Sequence, residues 1–373
     1  MARLSIALLL FVAAAHASAP SPPSVTGKSW MVGDLSSGRV LAAEKPAERV
    51  EPASLTKLMT AYVVFAALRE RKLSLEQVIE VSERAMRVPG SRMYLEPGRQ
   101  VTVEQLIRGV VVQSANDACI VLAEAVAGSE VAFVRMMNRE AARLGMEDTQ
   151  FMNASGLPDP RQYSTAQGLY TLAEALIRDF PAEYARYYAQ KEFRYNNVNH
   201  ANRNRLLWLD PSVDGVKTGH TGAAGYCLIA SSRRGGRRLL SVLIGATSES
   251  ARVQESQKLL NWGFQFFDSV KLFSAGDPVR TLEVWKGAAG AVKVGVASDL
   301  LVTVPRGEAD KLRAELVSQQ PLIAPLASGQ RVGVVRVSFE GKPYGEAPLI
   351  ALEPVGEAGL LGRAWDTLRL WTK

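Results

Sequence analysis

Near Phe273 the hydrophobic period of the sequence changes, and that change decides how the chain divides. Before it, apolar residues recur at helical spacing through Leu55–Leu68, Val103–Ala127, Ser129–Leu144, Leu169–Arg178 and Val253–Phe267. Strand-like stretches flank these helices: a hairpin over Ser29–Leu41 around Ser36-Ser37-Gly38, and runs at Val213–Thr218, Gly225–Ser231 and Leu239–Gly245. Strands at both ends with helices between predict an α+β unit whose terminal strands share one sheet. After Phe273, short apolar runs alternate with turn signals: Leu282–Trp285, Val292–Val296, Leu300–Val304, Gln330–Phe339 and Ala347–Leu352. They predict a small all-β sandwich or barrel over residues 273–355. Two units also suit a chain of 373 residues, since single cores rarely grow past about 250–300.

The first residues are set apart from the fold. Arg3 precedes an apolar run, Leu4–Ala15, that is too short to span a bilayer, and Ala15-His16-Ala17 has the small-x-small form of a cleavage site. Residues 1–17 read as a secretory signal peptide, and Pro20-Ser21-Pro22-Pro23 ends any helix continuing from them. The expected location is therefore exported, and residues 18–272 form the first folded unit. An apolar content of 47% and a charged content of 22% exclude a disordered chain. The net charge of +7 does not imply a nucleic-acid partner, because the densest basic run, Arg233-Arg234-Gly235-Gly236-Arg237-Arg238, lies between two apolar runs and reads as a solvated hairpin loop.

Three short motifs carry chemistry. In Pro52-Ala53-Ser54-Leu55-Thr56-Lys57 the proline suits the first turn of a helix, which places Ser54 at the positive end of the helix dipole and Lys57 one turn along on the same face. A serine hydroxyl needs a base to become a nucleophile, and a lysine neutralised by burial or a neighbouring cation can serve. The Ser54 N–H is free to help hold an oxyanion. Ser114-Ala115-Asn116 falls inside an apolar helical region. Lys217-Thr218-Gly219-His220 ends a strand-like run, where the lysine supplies a fixed cation, the threonine a hydroxyl, and Gly219 room for an extended ligand along a strand edge. No His-Glu-x-x-His or Cys-x-x-Cys pattern is present, so no metal site is expected, and acyl transfer through a serine needs no cofactor. A Ser-His-Asp triad would have to draw its base from His200 or His220. Cys119 and Cys227 sit in apolar stretches, and export leaves both a disulfide and two free thiols open.

Taken together, Ser-x-x-Lys, Ser-x-Asn and Lys-Thr-Gly form the signature of penicillin-binding proteins and class A β-lactamases. With their flanks, Pro52–Val64, Gln113–Cys119, Asp214–Tyr226 and Leu259–Phe264, they resemble the low-molecular-mass penicillin-binding proteins that are serine-type D-alanyl-D-alanine carboxypeptidases. The resemblance runs from about Ser29 to the C-terminus. It implies a transpeptidase-like domain followed by the small β domain, with an amphipathic helix after it.

It also implies roles. Ser54 resembles the acylated nucleophile, Lys57 its base, and Ser114 and Asn116 the proton relay and substrate-amide contact. Lys217 and Thr218 resemble the carboxylate- and proton-handling pair, with Gly219 beside them. The His220 N–H would complete an oxyanion hole with that of Ser54, and Arg252 matches an arginine that supports carboxylate recognition. Ala115 departs from the glycine usual there and adds a methyl beside the cleft. The implied partners are peptidoglycan stem peptides ending in D-Ala-D-Ala, and β-lactams. The rival readings are a β-lactamase, for which no well-placed glutamate is evident, and a non-catalytic wall-binding protein, against which every nucleophile, base and cation position is filled.

In residues 356–373, Leu360, Leu361, Ala364, Trp365, Leu368 and Trp371 gather on one helical face and Leu370 lies off it. Two tryptophans and net basic charge suit a membrane interface, and the alternative is a helix docked on the β domain. The family resemblance points to the periplasmic, outer face of the cytoplasmic membrane.

Overall fold

The computed structural model describes residues 21–371; the signal-peptide expectation at 1–17 lies outside them. The terminal strands do share one sheet. Its antiparallel order is Arg39–Glu44, Ser29–Asp34, Arg237–Ala246, Gly225–Arg234, Val213–Thr221. Both faces are covered, so its inner strands are apolar on both sides. Met31, Ile229, Val242 and Ile244 face a large core built from the helices Lys57–Arg69, Asn116–Ala127, Glu130–Arg143 and Ala166–Asp179. The intervening Trp30, Val32, Leu228 and Leu243 face the helix Glu249–Phe266. The strand Val213–Thr221 is left at the sheet edge.

The predicted continuous helix over Val103–Ala127 is broken. A helix at Val103–Arg108 runs into a wider turn at Gly109–Gln113, and Ser114 then takes a left-handed backbone, φ 62°, before the helix restarts at Asn116. Periodicity could not show this, because Val110, Val111, Val112 and Ala118–Ala123 are all buried and the stretch is apolar on every side.

The β unit begins at Phe267, where the strand Phe267–Phe273 follows the preceding helix without a loop and pairs with Leu300–Pro305. That pair and a six-stranded sheet enclose a second core of Val292, Val294, Val302, Val304, Val335 and Leu349, among others. The two units meet at a polar junction. The fully buried Asp34 accepts from Arg237 at 2.6 Å and from Thr303 at 2.7 Å, and Tyr344 donates to the Thr303 carbonyl. The basic hairpin is accordingly not a free solvated patch: Arg234, Arg237 and Arg238 pair with Asp210, Asp34 and Asp214.

The C-terminal helix, Leu360–Leu370, rests on the β unit through its polar side. Asp366 accepts from the Lys286 N–H at 2.6 Å, and the Arg369 guanidinium lies 5.2 Å from the Trp285 ring centre. Leu361 and Trp371 on the other side are 89% and 86% exposed, with Leu360, Trp365 and Leu368 also in solvent. Among the described residues no helix is long and apolar enough to cross a membrane.

Candidate active site

Pro52 leads into a 3-10 turn, Ala53–Thr56, that passes directly into the helix Lys57–Arg69. Ser54 therefore sits one turn ahead of Lys57, and both side chains emerge on one face. Lys57 Nζ lies 2.9 Å from Ser54 Oγ and donates to the Ser155 carbonyl at 2.6 Å. The lysine is only 1% exposed. Burial, helped by the charge of Arg203, lowers its pKa to about 8. A substantial fraction is then neutral near that pH, with a lone pair able to take the Ser54 proton while one N–H stays on Ser155.

The broken helix explains the second motif. The left-handed turn delivers the Ser114 hydroxyl to Lys217 Nζ at 3.0 Å, and Lys217 also donates to the Thr218 carbonyl at 3.1 Å. A non-glycine residue held left-handed costs roughly 1–3 kcal/mol and persists only where its surroundings fix it. Here they do. Asn116 Nδ2 donates to the Pro89 carbonyl at 2.6 Å, and the buried Asp117 carboxylate accepts from the N–H groups of Met93 and Leu95, both at 3.1 Å. Ala115 has an ordinary extended backbone, φ −69° and ψ 118°, and is fully buried in the core. Its methyl is therefore not beside the cleft, contrary to the expectation from sequence.

The edge strand supplies the opposite wall. Its outer side packs against the 3-10 turn so closely that a Cβ at Gly219 would stand 3.2 Å from Leu55 Cγ and 3.3 Å from Ala53 Cβ. A cleft of about 430 Å³ opens between these walls, lined by Ser54, Ser114, Asn116, Thr218, Gly219 and His220, with Arg252 at its far side. Lys57 and Lys217 are buried behind the two serines, and Lys217 reaches the cleft through the Ser114 hydroxyl. Burial, then Lys57, then Arg203, hold the Lys217 pKa well below the usual lysine range. Its surroundings therefore disfavour the protonated form, and a nearby anion favours it. At the start of the helix Glu249–Phe266, the Arg252 side chain is 4% exposed and donates to Glu249 at 2.7 Å, while its Nε has no hydrogen-bond partner among the described residues.

Among the described residues no His base stands at either serine. His220 is exposed, its ring 4.2 Å from that of Tyr226, and His200 is buried in a separate hairpin, Glu192–Tyr195 with Val198–Ala201. Cys119 and Cys227 are both free and buried. Among the described residues no group of His, Cys, Asp and Glu is placed to hold a metal ion.

Sequence reasoning missed four participants. Ser155, Gly156 and Arg203 line the cleft, and Asp117 ties down the Met93–Leu95 loop above it. One signal was available: Asn153-Ala154-Ser155-Gly156 is a turn sequence, and Asn153 Oδ1 accepts from the N–H groups of Ser155, Gly156 and Leu157. That turn aims the Ser155 carbonyl at Lys57.

Comparison with known proteins gives a consistent picture. Residues 16–248 match the Peptidase_S11 family, described as D-alanyl-D-alanine carboxypeptidase, and residues 267–357 match the C-terminal domain of penicillin-binding protein 5. The chain is 43% identical to the D-alanyl-D-alanine carboxypeptidase DacC of Escherichia coli, over 96% of this chain and 92% of that protein. It is 39% identical to DacA of the same organism, over 99% and 96%. Among solved structures, penicillin-binding protein 5 of Haemophilus influenzae superposes with a TM-score of 0.85 at 39% identity, covering 91% of this chain and 100% of that one. Penicillin-binding protein D2 of Listeria monocytogenes, solved in an ampicillin-bound form, superposes with a TM-score of 0.61 at 29% identity, covering 66% of this chain and 100% of that one.

Proposed function

The chain belongs to the serine-type D-alanyl-D-alanine carboxypeptidase family, and from that premise we propose that it trims peptidoglycan stem peptides through an acyl-enzyme on Ser54. The observation that carries this reading is the buried Lys57 amine, held 2.9 Å from Ser54 Oγ with a pKa lowered to about 8. Neutral Lys57 takes the hydroxyl proton as Oγ attacks the carbonyl carbon of the penultimate D-Ala. The carbonyl oxygen, now an oxyanion, is held by the backbone N–H groups of Ser54 and His220. As the C–N bond breaks, the terminal D-Ala nitrogen takes a proton relayed by the Lys57, Ser114 and Lys217 cluster and leaves. Water then adds to the ester carbonyl and releases Ser54.

The substrate lies extended along the strand Val213–Thr221, where Gly219 lets the turn carrying Ser54 pack close to the strand, with Asn116 on the backbone amide of the acyl part. Its free carboxylate sits at Thr218 and Arg252. The arriving negative charge also favours the protonated form of Lys217 that burial disfavours. A β-lactam presents a strained amide to the same serine, but its leaving amine stays tethered in the cleft and obstructs the water. A β-lactamase reading lacks support, because Glu249, the only carboxylate lining the cleft among the described residues, is engaged with Arg252. In the test, purified protein should release free D-Ala from a soluble pentapeptide, and penicillin should add its full mass to the Ser54 peptide. No release, or an adduct on another residue, contradicts the reading.

We further propose that residues 1–17 direct export and that the C-terminal helix holds the enzyme on the outer face of the cytoplasmic membrane. The support is the row of Leu360, Leu361, Trp365, Leu368 and Trp371 in solvent, while the polar side of the helix rests on the β unit. A helix this short binds reversibly. Deleting residues 356–373 should release the protein from anionic vesicles in a sedimentation assay and leave D-Ala release from soluble peptide within about twofold. Unchanged sedimentation would remove the anchor.

A further inference from the structure

Arg252 is nearly closed off from solvent, and a guanidinium in that position needs an anion or several acceptors to replace its water. The structure gives it one charged partner, the Glu249 carboxylate at 2.7 Å, one helical turn earlier on the same helix, and the Tyr226 ring, whose centre lies 5.7 Å from the guanidinium carbon. The Arg203 carbonyl at 3.5 Å is marginal, and Nε has no partner among the described residues. Glu249 itself is 56% exposed at the side chain and lies in the cleft wall, so it can swing into solvent at little cost. Every other charged side chain in that wall is a cation: Arg203 and Arg252.

We propose that Glu249 occupies, in the empty enzyme, the place on Arg252 that the substrate's terminal carboxylate takes, and so acts as a built-in competitor that sets the affinity for free-acid peptide termini. The proposal rests on the reading of Arg252 as part of the carboxylate site. It makes Glu249 a specificity-determining residue: a ligand without a terminal carboxylate has no need to displace it, whereas a free acid must. While the site is empty, the pair also keeps Arg252 aimed at the cleft.

If the closed pair is favoured K-fold over the open one, the KM for a displacing ligand rises by the factor 1 + K, and K is on the order of one to four for a half-exposed ion pair. Glu249→Gln should therefore lower KM for a free-acid pentapeptide by about two- to fivefold with kcat unchanged, and leave the KM of the C-terminally amidated peptide as it was. In an Arg252→Ala background the same substitution should do nothing. A role confined to the first turn of the helix would shift the melting temperature without this split between KM and kcat. An unchanged or raised KM overturns the proposal. An equal fall in the Arg252→Ala background also overturns it, because Glu249 would then act only through long-range repulsion. The underlying reading fails on a different arm: if Arg252→Ala impairs the acid and the amide equally, Arg252 is not a carboxylate site.

Discussion

Replacing Lys57 with Met should abolish acylation, by about 10³–10⁴-fold, while the protein remains folded. Met keeps most of the length and volume of the side chain and discards its basic nitrogen. The activity loss follows because Ser54 Oγ has no other base within reach: Lys57 Nζ is its only side-chain partner among the hydrogen bonds of the described residues. The stability change is small because two terms oppose. Wild-type folding holds the Lys57 pKa near 8 instead of 10.5, a burial penalty of about 3 kcal/mol at neutral pH. Met removes that penalty but leaves the buried Ser155 carbonyl without its donor, a cost of about 1–3 kcal/mol. Melting temperature should therefore change by only a few degrees.

The same shift fixes the sign of the pH dependence. A lysine depressed to about 8 is protonated below that pH and useless as a base, so the acylation rate should rise about tenfold per pH unit up to about pH 8 and level above it. Folding stability moves the same way. Between pH 8 and 10.5 the unfolded lysine holds its proton and the folded one does not, so this group's penalty shrinks as pH rises through that window. Rates of labelling by a fluorescent penicillin across pH 5.5–9.5, with circular-dichroism melts of both proteins, check this. A flat profile, or a Met variant that still labels, means that another group takes the Ser54 proton.

What could be read from the sequence was local. Ser54 and Lys57 are three residues apart, and helical spacing alone puts them on one face. The hairpins are written in alternation and turn residues, and the sharing of one sheet by the first and last strands of the catalytic unit followed from packing logic. The signals that were missed are of two kinds. Some were present but unused: Asn196-Asn197, both left-handed at φ 45° and 62°, mark the hairpin between Glu192–Tyr195 and Val198–Ala201 as Asn pairs commonly do. Others are absent in principle. Nothing near Ser114 announces a left-handed break, because what fixes it is the Pro89–Leu95 loop, 22 to 27 residues before the Asn116 and Asp117 side chains that hold it. The helix Glu249–Phe266 gives way to a strand at Phe267 with neither glycine nor proline, since the next partner, Leu300–Pro305, decides its conformation. Periodicity reports which faces are apolar. It does not report which carbonyl a buried amine will find.

That last limit makes Gly156 the most demanding position near the site. Its backbone is left-handed, φ +83°, and a Cβ built on it would stand 1.8 Å from the Ala53 carbonyl oxygen and 2.5 Å from the carbonyl carbon. Both obstacles are backbone, so no side-chain rotation relieves them. Either the Asn153–Gly156 turn or the 3-10 turn carrying Ser54 has to move by more than 1 Å to regain ordinary contact. The first withdraws the Ser155 carbonyl from Lys57, where it now accepts at 2.6 Å; the second displaces Ser54 itself. Misplacement of that size costs about 10²-fold in rate, and the left-handed alanine with its clash costs about 2–4 kcal/mol in stability. Gly156→Ala should accordingly label with penicillin at least about 100-fold more slowly and melt well below wild type. Gly222→Ala is the matched control: it follows the cleft-lining Thr221 at the end of the edge strand, but its backbone is not left-handed and an added Cβ would have nothing within 4 Å. It should change labelling by less than about threefold and stability by less than about 0.5 kcal/mol. If Gly156→Ala matches that control in both rate and melting temperature, the turn does not set the position of the Lys57–Ser54 pair.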